Sequence, residues 1–464
     1  FNYYDSSPML TNITFSGNDA NMGGGMYNLT NSSPTLTNVT FSGNSTINKG
    51  GAMYNHNQSN PVVKNAILWG NSGDYGAIYN DNSTPTISTS DIQGCMPGGV
   101  WSSACGTDSG GNLDADPLLG ALGDYGGTMQ TLPLLPGSAA IDTGDDTSCP
   151  ATDQRGISRL QGAHCDMGAY ESRGFTLTKT SGDMQGALVN TAFAEPLVIG
   201  VSSDYSEPVD GGEVTFTAPT SGASTNPLIN EATISAGAAF QSLTANGESG
   251  LYNVTANAAG AAPQVEFTLL NSSDGHYYAA PTAQGSEDCL SWGNACTLKS
   301  ALLYTYHDNE IWVEAGLHYP GSARTDTFTL KTGVAVYGGF AGTETSRDDR
   351  DWEANVTTLS GDIGTTGDNS DNSYQVVTGS GTDNTAVLDG FTITKGNANG
   401  SDPYLKGGGM YNVSGSPTLA NLNFDQNYGE SSGGGMYNYQ SSSPTLTNVT
   451  FSGNRSTDGG GMYN

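Results

Sequence analysis

Basic residues are scarce. Only 14 Lys and Arg stand against 45 Asp and Glu, a formal net charge of -31, although charged residues make up just 13% of the chain. A surface of that sign repels phosphate backbones and anionic lipid, which excludes nucleic acid and membrane surfaces as expected partners. No run of about 18 apolar residues occurs, and the opening residues lack the basic-then-apolar pattern of a secretory leader. The segment is therefore expected to insert in no membrane and to carry no anchor or export signal of its own. Histidine is also rare: His56, His164, His276, His307 and His318 share no motif and read as surface or structural residues. The six cysteines lack the spacing of CxxC zinc or CxxCH haem sites. They fall into the local pairs Cys95/Cys105, Cys149/Cys165 and Cys289/Cys296, each in a Gly- or Asp-rich stretch. Such pairs read as disulfides of an oxidising, extracellular compartment, with reduced thiols or a metal site as the alternative.

What is abundant is Gly (65 residues) together with Ser, Thr and Asn, the composition of turn-rich β structure. Self-similarity is the strongest signal. The phrase Ser33-Pro34-Thr35-Leu36-Thr37-Asn38-Val39-Thr40-Phe41-Ser42-Gly43-Asn44 recurs at Ser7 and Ser443, with degenerate copies from Asn60 and Ser416. A second phrase, Gly23-Gly24-Gly25-Met26-Tyr27-Asn28, returns at Gly50, Gly407, Gly433 and Gly459, and successive copies lie 25 to 27 residues apart. Leu36 and Val39 are three apart and cannot share one face of a straight strand, so a bend at Asn38 is required. Asn38, Gly43 and Asn55 tolerate left-handed backbone and serve as corners of a three-sided coil, with the Asn38 row turned inward. A stack of such coils buries a continuous column of Leu, Val, Phe and Met that one coil cannot bury alone. The LxxLxL pattern of leucine-rich repeats and the Asp of calcium-binding nonapeptides are both missing.

These phrases resemble bacterial right-handed β-helix repeat proteins of the polymorphic surface-protein type. The text Leu113-Asp114-Ala115-Asp116-Pro117, Leu134 to Asp142, Asp153-Gln154-Arg155-Gly156 and Asp166-Met167-Gly168-Ala169-Tyr170-Glu171 resembles the choice-of-anchor Q domain, which implies a cap on the coil end. Alternating runs at Val214–Thr217, Ala232–Ile234, Tyr252–Ala256 and Val265–Leu269, with Gly247 to Val254 as "G-x-x-G-x-Y-x-V", resemble bacterial Ig-like adhesin domains, a spacer. Leu298, Ala301 and Leu302 at helical spacing predict a cap helix before the strand Ile311–Val313. The chain thus reads as all-β: right-handed parallel β-helix (solenoid) segments at both ends, separated by a cap-like domain and an Ig-like β-sandwich. The boundaries are 1–94, 95–173, 174–271 and 272–464.

The outward strand face offers Thr, Ser and Asn instead of paired acids, so no catalytic residue is assigned and no enzyme is expected. Acid-rich loops give weak calcium candidates, Asp142/Asp145/Asp146 and Asp348/Asp349/Asp351, with Asp114/Asp116 and Asp368/Asp371 behind them; solvated loop charge is the alternative, and no other cofactor is implied. Asn12, Asn38, Asn65, Asn421 and Asn448 form the expected structural ladder. Asn253 and Asn355 are possible glycan acceptors. Tyr27, Tyr54, Tyr411, Tyr437 and Tyr463 form a row that is either packing or a sugar-binding stripe. Residue 1 following residue 464 would continue the repeat in register, which makes copies of the same chain, head-to-tail or in one tandem-repeat polypeptide, the expected partners. The function expected is a structural repeat unit of an extracellular cell-surface fibre. A glycan-binding adhesin is the first alternative and a polysaccharide lyase or hydrolase the second.

Overall fold

A computed structural model describes residues 1–306 and 308–464; His307 lies outside the described residues. The repeats form a parallel β-solenoid. In the first segment three larger parallel sheets run along the stack, and a fourth, two-stranded one pairs Asp19–Met22 with Ser45–Lys49. One contains Met26–Leu29, Met53–His56 and Ile78–Asp81, the second Thr35–Thr37, Val62–Lys64 and Thr86–Ser88, and the third Thr40–Ser42, Ile67–Trp69 and Asp91–Ile92. Equivalent residues pair in register, Leu10 with Leu36, Leu36 with Val63 and Val63 with Ile87. Leu36, Val39 and Phe41 are all fully buried, as the bend requires.

Asn38 (φ 50°) and Gly43 (φ 67°) are left-handed corners. Asn55 is not a corner: it lies in the strand Met53–His56, and the turn falls at Asn57 and Gln58 (φ 54° and 64°). Asn55 is two residues from Met53, shares its inward face and is fully buried beside it.

The second segment stacks His276–Ala279, Asn309–Glu314, Val334–Phe340, Val387–Thr394, Thr418–Asp425 and Thr445–Ser452 in one parallel sheet around Ile311, Val336, Leu388, Leu419 and Phe424. The helix Leu298–Tyr304 packs on its first strands and buries Leu298, Ala301, Leu302 and Tyr304. The Thr297 hydroxyl caps its N-terminus by accepting Ser300 N–H at 3.2 Å. Lys331 Nζ donates to the carbonyls of Leu303 and Thr305 at its C-terminus, both at 3.0 Å.

Residues 174–271 form two sheets over a shared core that includes Leu197, Ile199, Val214, Phe216, Val254 and Phe267. The strand Gln185–Leu188 of this unit meets the helix. A Cβ on Gly186 would stand 2.6 Å from the Tyr304 carbonyl oxygen, so only glycine allows the approach.

Residues 95–173 do not sit on the coil end as one cap. Residues 107–113 extend the stack by a partial coil, with Thr107–Asp108 pairing Thr86–Ser88 and Leu113 bridging Asp91. Residues 134–171 instead lie against the flank of the coils. There Leu134, Ala140, Ile141, Met167 and Tyr170 share a core with Ile67, whose side chain points out of the solenoid.

Candidate functional site

Flank docking runs along the asparagine corners. Asn38 Nδ2 donates to the carbonyls of Asp166 (2.9 Å) and Gly168 (3.1 Å), while Asn12 Nδ2 donates to the Thr152 carbonyl at 2.6 Å. Asn65 exchanges two bonds with the Asp145 backbone, at 2.8 and 3.1 Å. The Asn38 row therefore faces outward, correcting the inward expectation. Left-handed backbone at a corner turns the side chain away from the lumen, and Asn38 and Asn65 owe their burial to the docked segment. Rungs along the row exist between Asn65 and Asn38 (3.3 Å) and between Asn448 and Asn421 (3.1 Å).

The inward ladders use other asparagines, which the sequence reading missed. Asn28 donates to Asn55 at 2.8 Å and Asn55 to Asn80 at 2.9 Å; Asn44 to Asn71 and Asn412 to Asn438 repeat the pattern. The available signal was the strand phase, since Asn28 lies two residues from the inward Met26.

The docked segment is held by buried charge. Arg155 donates through Nε to Asp153 (2.8 Å) and through Nη1 to Glu207 (3.2 Å), and its guanidinium lies over the Tyr170 ring. Arg159 pairs with Glu171 at 2.9 Å, and Arg173 reaches Glu207 at 3.0 Å. Burial works against the charge of Arg155, but Tyr170, Asp153 and Glu207 outweigh it and raise its pKa. Asp166 is held well above the usual carboxylate range by burial and by neighbouring Glu171. Three arginines thus face Asp153, Glu171 and Glu207. The phrases Asp153–Gly156 and Asp166–Glu171 supply most of this network. Glu207 comes from the two-sheet unit, so the network ties the flank segment to it.

All three cysteine pairs are disulfides, Cys95–Cys105, Cys149–Cys165 and Cys289–Cys296. Four of the calcium candidates, Asp142, Asp145, Asp146 and Asp351, already accept hydrogen bonds from nearby donors. Asp145 takes the Thr147 and Ser148 hydroxyls, which lower its pKa, and Asp146 binds His164 at 2.9 Å, which lowers its own. Asp142 accepts His164 N–H, and Asp351 accepts the amides of Glu353 and Ala354. Asp348 and Asp349 are exposed in a short 3-10 turn. Among the described residues no group of three His, Cys, Asp or Glu could hold a metal ion. Asn253 is exposed on its strand and pairs with Glu266 and Thr268; Asn355 is half-buried, donating to the Gly339 carbonyl.

The tyrosine row resolves into two rows, one per solenoid segment. Tyr27 and Tyr54 stack at 4.7 Å and 7°, and Tyr437 stacks on Tyr411 and Tyr463 at 5.6 and 5.3 Å. The rings present their faces to one another along the stack, which supports packing over a sugar stripe.

One outward patch departs from the Thr/Ser pattern. Trp292, Trp312 and Trp352, three of the chain's five tryptophans, gather on the second segment with Tyr337, Arg347 and Arg350. Trp352 is 39% exposed. Arg350 lies 4.9 Å from its ring and is fixed by Asp389 Oδ2 at 2.7 Å and by the Gly338 and Asp389 carbonyls at 3.2 Å. Asn421 Nδ2 donates to Asp389 Oδ1 at 2.8 Å, so a hydrogen-bonded row runs from Asn448 through Asn421 and Asp389 to Arg350. Cavities of about 390 and about 360 Å³ are both lined in part by Trp352.

No protein-family model, curated protein or solved structure matches this chain. Two places concentrate chemistry: the buried network that fastens residues 134–171 to the coils, and the open patch around Trp352.

Proposed function

We propose that the protein is a structural module of an extracellular cell-surface fibre. In this reading right-handed β-helix coils stack with copies of the same module, while the anchor-type flank segment and an Ig-like sandwich space and brace them. The observation that carries the proposal is the make-up of the outward strand rows. Thr35 and Thr37, Thr86 and Ser88, and Thr445, Thr447 and Thr450 face out along the sheets. Their β-branched or small side chains suit a pleated parallel surface, and a hydroxyl without a neighbouring base or acid performs no proton transfer at neutral pH. The inward Asn ladders and the flank network add rigidity to the stack. Three disulfides point to an oxidising compartment, and among the described residues no helix is long and apolar enough to cross a membrane. The test is incubation of the full chain with a panel of plant, algal and bacterial polysaccharides, followed by assay of new reducing ends and unsaturated products. A structural module releases neither; release of either from any substrate overturns the reading.

A further inference from the structure

We propose that the groove over Trp352 is a binding site for a neutral oligosaccharide. Trp352 helps line both cavities and its indole is partly exposed, so it adjoins two neighbouring subsites. The platform is preorganised. Arg350 braces the ring, and Arg350 is itself held by three acceptors, with its side chain only 10% exposed. A site built from locked side chains loses little entropy on binding.

The surrounding groups fit sugar hydroxyls. Asn421, Asn423 and Asn448 line one cavity; Asn421 is held between Asn448 and Asp389, and the exposed Asn448 at the end of the row offers its carbonyl oxygen as an acceptor for a sugar hydroxyl. Arg347 lines the other, with 44% of its side chain exposed and one nitrogen bound to Glu310 at 2.7 Å, so further N–H groups of its fork remain for a ligand. An exposed indole takes the C–H face of a pyranose as it takes any apolar surface with a polar edge. Asp389, Asn421 and Asn448 belong to successive coils, about 4.8 Å apart, and this periodic row suits a ligand of repeating rings.

Charge selects among ligands. Asp348 and Glu353 stand at the groove, and the whole chain carries -31, so a polyanion such as a nucleic acid or an acidic polysaccharide is repelled. The tyrosine rows offer no comparable platform, because their ring faces are stacked on one another. The inference does not rest on the structural reading, since a fibre module works with or without a ligand.

The experiment titrates cellohexaose, xylohexaose, mannohexaose and chitohexaose into the full chain by calorimetry, with tryptophan fluorescence in parallel. At least one should bind and change the fluorescence. Trp352→Ala should weaken that binding roughly tenfold or more. Arg347→Ala should weaken it by a smaller factor, and Thr86→Ala, exposed on the first segment, should leave it unchanged. Circular dichroism checks the fold of each variant, and if Trp352→Ala fails to fold, Arg347→Ala against Thr86→Ala decides. Binding of none of the four sugars at millimolar concentration overturns the proposal. So does equal binding by the groove variants and the unmodified chain, or binding of a Ser/Thr-rich peptide or of polygalacturonate in place of the sugars.

Discussion

Removing the Arg155 guanidinium tests the flank network where it is most committed. Its side chain and that of Asp153 are fully buried, and Glu207 is 2% exposed, so neither carboxylate can turn to water when the cation goes. Arg155→Ala deletes the Nε bond to Asp153, the Nη1 bond to Glu207, the Nη2 bond to the Glu171 carbonyl and the stacking on Tyr170. Glu207 keeps Arg173 at 3.0 Å, so Asp153 is the charge left uncompensated, and breaking a buried pair from one side costs about 3–5 kcal/mol. Several units unfold in this chain, so a single unfolding free energy is poorly defined. Hydrogen exchange read by mass spectrometry on peptides within 134–173 reports the local loss directly. Protection there should fall by roughly two to nearly four powers of ten, while peptides from Val387–Thr394 and Thr418–Asp425 keep theirs. A loss under about 1 kcal/mol at neutral pH would refute the view that this network fastens the flank, since that is what an exposed ion pair contributes.

Three further outcomes follow from single residues. Gly168 has φ +87°, and a Cβ there would stand 2.7 Å from Thr40 Oγ1 and 2.8 Å from Ile67 Cδ1; Gly168→Ala should lift residues 166–169 off the coils, costing about 1–3 kcal/mol or more and exposing the segment to limited proteolysis. Asp91 is fully buried with Oδ2 unpartnered, and burial, followed by Asp114 and Asp116, pushes its pKa up to about 7. A raised carboxyl stabilises the fold below its unfolded pKa and loses that contribution as pH rises toward 7, so Asp91→Asn should raise thermal stability at pH 8 by up to roughly 4 kcal/mol and change little near pH 4. His318 is pushed down to about 4 by burial, partly offset by its bond to the Glu314 carbonyl at 2.8 Å. Its contribution is complete above the unfolded value and is lost as pH falls from about 6.5 to 4, at most about 3 kcal/mol, and His318→Gln should flatten that part of the stability–pH curve measured by denaturant unfolding.

The solenoid was legible in the sequence because its determinants are local and repeated. The three-residue step from Leu36 to Val39 demands a bend, Asn38 supplies it, and the same phrase recurs at coil spacing. The helix was legible for the same reason, since Leu298, Ala301 and Leu302 lie on one stripe and Thr297 precedes it. Flank docking was not, because nothing in Asp166-Met167-Gly168 names Asn38, 128 residues earlier, as its partner. The direction of the Asn38 side chain was lost with it: corner asparagines and strand asparagines look alike as letters, and only the phase against Met26 or Met53 separates them. The Trp352 groove was obscured in a similar way. Its residues come from the loop 347–353 and from four successive coils, and the one clue in the text was the gathering of tryptophan and arginine between Trp292 and Trp352.

Immunogold electron microscopy of intact source cells, with antibodies raised against the full chain, tests the central claim most directly. A structural module of a surface fibre should be labelled without permeabilisation, along filaments that project beyond the cell envelope. Label that appears only after permeabilisation, or that never follows a filament, would contradict it.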